Sequence, residues 1–209
     1  MPKAILFDFD GTLADSYPAI AASVNHVRAA HGLPPLSVEE VKRHVGRALP
    51  YLLEQTVPGT NLEADTALYR AHHPSVLVQG TQLLPQVADT LAGLHARNTP
   101  LAVCSNKPVQ FTRTLVQQLG ISQYLIVVLG PEDAARPKPA PDMLLVALKR
   151  LNVEPKDALY VGDMTVDIQT ARAAGVGVWV IATGSDSLEA LEAAKPDRIL
   201  SRFSDLLLL

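Results

Sequence analysis

A chain of 209 residues, 48% hydrophobic and 19% charged, is an ordinary globular composition with room for one large domain or a core carrying an insertion. Its net charge of −3 and the absence of basic runs exclude an electrostatic footprint for nucleic acid or a membrane surface, and no apolar run approaches a membrane span. The single cysteine, Cys104, excludes an intrachain disulfide and suits a reducing compartment. Asp8 and Asp10 interrupt the opening apolar run, so a secretory leader is not expected and the expected location is cytoplasmic.

The chain opens on Ala4-Ile5-Leu6-Phe7, a continuous apolar run of the kind shown by a parallel strand buried on both faces. It stops at Asp8-Phe9-Asp10-Gly11. Side chains two apart on extended backbone point the same way, so Asp8 and Asp10 can face one pocket; a solvated acidic turn is the competing reading. Residues 15–80 then read as helices throughout. Tyr17-Pro18 opens one that ends near His31-Gly32, and Ser37 with Glu40 three residues on has the capping-box pattern that starts a second. Leu49, Leu52 and Leu53 mark a third, residues 62–73 a fourth, and no strand is expected here. His72-His73 invites a metal reading, but adjacent side chains on a helix diverge, and a solvated helix end is expected instead.

From Leu83 onward helices and short apolar strands alternate. Helices are expected over 87–95, 111–119, 143–151, 168–174 and 188–193, and strands over 101–104, 125–129, 158–161, 176–181 and 198–200. Such alternation predicts a parallel sheet covered on both faces. The fold expected is therefore α/β, a doubly wound, mainly parallel Rossmann-like core with an inserted all-helical cap. The core comprises 1–14 plus 81–209 and the cap 15–80. Cys104 and Trp179 fall in apolar strands and are expected to pack in the core. Leu206 to Leu209 are expected to tuck a terminal strand or helix onto it.

Three strands end in reactive polar residues, and ligands of open α/β sheets bind at the carboxyl ends of the strands. The first end supplies Asp8 and Asp10. The second supplies Ser105-Asn106-Lys107 just before a helix, where free backbone N–H groups suit a phosphate. The third supplies Asp163 and, four residues on, Asp167. Between the last two lies Lys138, held in a proline-stiffened loop, Arg136-Pro137-Lys138-Pro139-Ala140-Pro141-Asp142. Singly, each of these is as readily a helix cap or an exposed lysine as a functional group. Their arrival at one sheet edge is hard to read as structural alone.

In this order, Asp8-x-Asp10-Gly11-Thr12-Leu13-x-Asp15, Ser105-Asn106-Lys107, Lys138-Pro139-x-Pro141-Asp142 and Gly162-Asp163-x-x-x-Asp167 resemble the four motifs of the haloacid dehalogenase-like superfamily, over nearly the whole chain. A helical insertion after the first motif resembles that superfamily's capped phosphatases, and Leu84-Pro85-x-Val87-Ala88-Asp89-Thr90-Leu91 and Asp167-Ile168-Gln169-x-Ala171 look most like the phosphoglycolate phosphatases. The resemblance implies a Mg²⁺-dependent phosphomonoester hydrolase acting through an aspartyl-phosphate. Asp8 would be the nucleophile and Asp10 the general acid and then base. Gly11, Thr12, Ser105, Asn106 and Lys138 would bind phosphate, and Asp8, Asp10 (through its carbonyl) and Asp163 would hold the metal. Asp167 would position Lys138. Val45-Gly46-Arg47 resembles the family's substrate-reading loop, in which Arg47 would pair with a substrate carboxylate.

The implied partner is a small phosphorylated metabolite, with no nucleic acid or membrane, and the chain a monomer or homodimer. Gly130-Pro131, Ser105 and Thr183-Gly184-Ser185 depart from the phosphoglycolate phosphatase pattern. They leave pyrophosphate, nucleotides, sugar phosphates and a sugar-phosphate mutase beside 2-phosphoglycolate. A non-catalytic binding module would not require both Asp8 and Asp10.

Overall fold

The computed structural model describes residues 2–209, so the core range that opens at residue 1 is described from residue 2. Strand β1 (Ala4–Phe7) lies near the middle of a six-stranded parallel sheet. Its partners are β4 (Leu101–Cys104) on one side and β6 (Ala158–Gly162) on the other. The strands β5 (Val127–Leu129), β7 (Gly177–Ile181) and β8 (Arg198–Leu200) complete the order β5-β4-β1-β6-β7-β8.

The apolar run of β1 has the expected cause. Ile5 and Phe7 pack on one face with Leu91, Leu94 and Leu115, and Ala4 and Leu6 on the other with Met143, Leu148 and Ala171. All four strand residues are fully buried, and burial of a side chain such as Ile5 or Phe7 stabilises by roughly 1.5–3 kcal/mol. The first face is covered by α5 (Val87–Ala96) and α6 (Val109–Gln118), the second by α7 (Asp142–Leu151), α8 (Thr165–Ala174) and α9 (Leu188–Ala193). A two-turn 3₁₀ segment, Phe203–Leu208, tucks Phe203 and Leu206 against the first face.

Four helices intervene between β1 and α5. They are α1 (Tyr17–Ala30), α2 (Val38–Lys42), α3 (Leu49–Thr56) and α4 (Leu62–Leu77). The Ser37 capping box is formed, with Ser37 N–H donating to Glu40 Oε2 at 2.7 Å and Glu40 N–H donating to Ser37 Oγ at 3.3 Å. Helix α4 runs past Pro74, beyond the expected stop at residue 73. The proline removes one backbone hydrogen bond, but Leu77 is buried below it and holds the last turn down.

Two further features were not expected. The two ends of the insertion are joined by a two-residue antiparallel ladder, β2 (Ala14–Asp15) with β3 (Gln82–Leu83), too short to leave a periodic signal. Trp179, on β7, is only half-buried: it packs against the core from one side, and the Arg198 guanidinium of the edge strand β8 lies 4.9 Å from its ring.

Candidate active site

The three adjacent strands β4, β1 and β6 deliver their terminal residues to one place. Asp8 follows β1 directly, its N–H donating to Val161 O at 2.9 Å. It is 3% exposed, against 9% for Asp10. Ser105, Asn106 and Lys107 follow β4, and Asp163 follows β6; all four are buried. Lys138 arrives from the proline-rich loop, which Asn106 clamps at two points. The Asn106 Oδ1 accepts from Lys138 N–H at 2.9 Å, and its Nδ2 donates to Lys138 O at 3.0 Å.

The ammonium of Lys138 makes two hydrogen bonds and one ionic contact. Nζ donates to Asp167 Oδ1 at 2.7 Å and to the Tyr160 hydroxyl at 3.0 Å, and lies 3.0 Å from Asp8 Oδ1. Asp167 is itself fixed, because its Oδ2 accepts the backbone N–H groups of Asp163 and Met164 at 3.1 and 3.0 Å. Tyr160 hangs from the Cys104 carbonyl at 2.8 Å. Burial alone would lower the Lys138 pKa; the charges of Asp167 and Asp8 outweigh it and hold the lysine above its ordinary value.

The carboxylates show the opposite strain. Burial pushes Asp8 up to about 6, against the pull of Lys138 and with the charge of Asp167 adding to the rise. Burial, then the charges of Asp167 and Asp8, raises Asp163 well above the usual carboxylate range. Asp8, Asp163 and Asp167 offer oxygens that lie within 4.8 Å of one another, and one ammonium does not balance three carboxylates. Asp163 Oδ1 takes the Thr12 hydroxyl, while Asp163 Oδ2 is buried with no hydrogen-bond partner. The space around that oxygen is kept clear by glycine. A Cβ on Gly184 would stand 1.7 Å from it and one on Gly11 2.4 Å. An orphaned carboxylate oxygen in an all-oxygen, net-negative cradle fits a hard cation.

Asp10 is held differently. Its Oδ1 accepts from Ser16 Oγ, and Lys107 Nζ lies 3.2 and 3.4 Å from its two oxygens. Asp8 and Asp10 both border a cavity of about 40 Å³, with Ser105, Asn106 and Lys107 beside them on the core side. The insertion closes the other side with Leu49 and Leu52 of α3 and Tyr69 and His73 of α4. Arg47 borders this cavity as well, exposed to solvent and stacked on Tyr51 at 4.7 Å. Beyond the Val45–Arg47 loop lies a wider cavity of about 340 Å³ that reaches Arg43, His44 and Lys138.

The residues singled out in the sequence thus converge, with distinctions the sequence did not show. Asp8, Asp10, Ser105, Asn106 and Arg47 line the small cavity; Lys138, Asp163 and Asp167 sit behind Asp8. Gly11 and Thr12 do not line it, the Thr12 hydroxyl being committed to Asp163. His73 corrects the expectation of a solvated helix end. It is fully buried, whereas His72 stacks on His26 at 4.1 Å. Tyr160 and Ser16 were missed, since a tyrosine in a buried strand and a serine before a helix read as packing and capping. The partial alternation of Tyr69, His73 and Leu77 at four-residue spacing was the signal available for His73.

A family model for haloacid dehalogenase-like hydrolases matches residues 5–181. Phosphoglycolate phosphatases of Escherichia coli K12 and Yersinia pestis are each 34% identical to this chain, over 98% of it and 91% of their own length. The crystal structure of a predicted phosphoglycolate phosphatase from Haemophilus somnus 129PT superimposes with a TM-score of 0.92 at 28% identity, covering 98% of this chain and 96% of the other.

Proposed function

The chain belongs to the haloacid dehalogenase-like hydrolase family and is a phosphatase, and from that premise we propose that it cleaves a small phosphomonoester, 2-phosphoglycolate or a close relative, through an aspartyl-phosphate on Asp8. The observation that carries this reading is the pair Asp8 and Asp10 on one cavity of about 40 Å³, with Lys138 3.0 Å from Asp8. A cavity this confined favours a small ester. A nucleotide or hexose would have to displace the Val45–Arg47 loop.

In this reading an Asp8 oxygen attacks phosphorus in line and the ester bond breaks to the departing alcohol. Asp10 protonates that alcohol, then takes a proton from the water that releases phosphate from Asp8; such acid–base help is commonly worth ~10²–10⁴-fold. Ser105 and the Asn106 backbone hold the non-bridging oxygens, and Lys138 neutralises the nucleophile and the phosphoryl group. Asp167 and Tyr160 keep its ammonium in place. Mg²⁺, held by Asp8, Asp163 and the Asp10 carbonyl, would supply charge neutralisation for the phosphoryl group. Residues 15–80 act as the cap, excluding water and presenting Arg47 to the leaving group.

The test is Asp8→Asn. Phosphate release should fall by ~10³-fold or more with the thermal melt retained, and turnover near that of the native chain would remove Asp8 from the nucleophile role.

A further inference from the structure

Tyr17 stands where the helical insertion meets the carboxylate cradle. It is the first residue of α1 and is only 4% exposed. A Cβ on Gly11 would collide with both the Tyr17 hydroxyl and Asp163 Oδ2. The two oxygens therefore look onto one space, the space that Gly11 and Gly184 keep clear. They are not bonded to each other, since Asp163 Oδ2 is buried with no hydrogen-bond partner. Burial, then the charges of Asp163, Asp10 and Asp8, holds the Tyr17 phenol well above its ordinary pKa, so the hydroxyl is neutral and keeps its proton.

The ring is held in that position from outside. Lys42, at the end of α2, places its Nζ 4.7 Å from the ring centroid and donates to the Thr183 carbonyl at 3.3 Å. The Thr183 hydroxyl donates in turn to the Gly11 carbonyl. Two helices of the insertion and the loop after β7 thus close around the one Asp163 oxygen that has no partner. A phenol both accepts and donates, and Mg²⁺ bound by carboxylates usually keeps several waters. Polar groups one step outside the ligands orient such a coordination shell, and losing one typically weakens metal affinity by about 10–100-fold.

We propose that the Tyr17 hydroxyl serves the cation site as a polar partner one step outside the ligands, so that the insertion helps to hold the metal the core carboxylates bind. This rests on the cation reading of the cradle formed by Asp8, Asp163 and Asp167, and adds to it a residue from the insertion. The charges of the site agree. Three carboxylates face the single ammonium of Lys138, while Lys42 is engaged with the Tyr17 ring and Thr183. A neutral hydroxyl adds a dipole there without cancelling the charge that draws a cation.

The test is calorimetric titration of Mg²⁺ into the native chain, Tyr17→Phe and Lys42→Met, without substrate. Tyr17→Phe keeps the ring and loses only the hydroxyl, and its Kd for Mg²⁺ should rise by about tenfold. Lys42→Met should also raise the Kd, by releasing the ring, although loss of a nearby positive charge would by itself tighten cation binding. The rise in Tm on adding Mg²⁺, taken within each chain, reads the same affinity in a variant that is less stable without metal. An unchanged or lower Kd in either variant overturns the proposal; a lower one in Tyr17→Phe would mean that the hydroxyl competes with the metal for Asp163. If the native chain shows neither heat nor a rise in Tm with Mg²⁺, the cation reading itself fails and takes the proposal with it.

Discussion

Lys138 shows how much of the site rests on single side chains. Its ammonium is buried among Asp8, Asp167 and Tyr160, and removing one partner of a buried ionic group typically costs about 3–5 kcal/mol, because the other charges stay buried without it. Lys138→Met should therefore destabilise by that amount, a fall of roughly 10 °C in Tm for a chain of this size, as well as ending turnover. A calorimetric melt within ~2 °C of the native chain would show that the ion cluster is more solvated than its geometry indicates. His73 makes a different prediction. Its pKa lies at about 3, below the ordinary 6.5. Between those values the unfolded chain binds a proton at this site and the folded chain does not. Its contribution to stability is thus complete above pH ~6.5 and declines by about 1.4 kcal/mol per unit as pH falls toward 3. Urea titrations from pH 7 to 4 should show a shallower loss in His73→Gln than in the native chain; parallel losses would mean that His73 is protonated in the folded state.

At the level of elements, the Val45–Arg47 loop governs how the inserted helices meet the sheet. Gly46 accepts from Asn106 Nδ2 at 3.2 Å, so the residue that clamps Lys138 also tethers the insertion. Gly46 has φ +110°, and a Cβ there would stand 2.1 Å from Met164 Sδ. Gly46→Ala should lift the loop and lower kcat/KM by ~10- to 100-fold, in line with the cost of small misplacements. Adding Met164→Ala should recover part of it by removing the clash while the backbone strain remains. A double variant no better than the single one would place the whole effect in the backbone. Most elements were legible in the sequence for the same reason the sheet is stable. Strands β4 and β8 and helix α9 lie within the expected residues because apolar runs bounded by polar turns leave little choice of boundary. Helix α4 runs past Pro74 because the packing of Leu77 outweighs the backbone bond lost there, and the β2–β3 ladder was invisible because two residues carry no period. The convergence of Asp8, Asp10, Ser105, Lys138 and Asp163 was legible because sheet topology alone brings strand ends together. The roles of Tyr160 and His73 depend on packing between distant segments, which no local pattern records.

Over the whole molecule, excess negative charge is concentrated where three central strands end, in a chain whose net charge is only −3. That concentration is costly without a cation, and the cluster Asp8, Asp163 and Asp167 could hold one. No helix among the described residues is long and apolar enough to cross a membrane. The insertion and the sheet both line the cavity that Asp8 and Asp10 border. The most direct measurement is phosphate release from a panel of 2-phosphoglycolate, pyrophosphate, nucleotides and hexose phosphates, with Mg²⁺ and with EDTA. The account predicts Mg²⁺-dependent release that EDTA abolishes, with the highest kcat/KM on 2-phosphoglycolate. Equal turnover with EDTA would contradict the metal assignment, and a preference for nucleotides or hexose phosphates would contradict the small-ester reading.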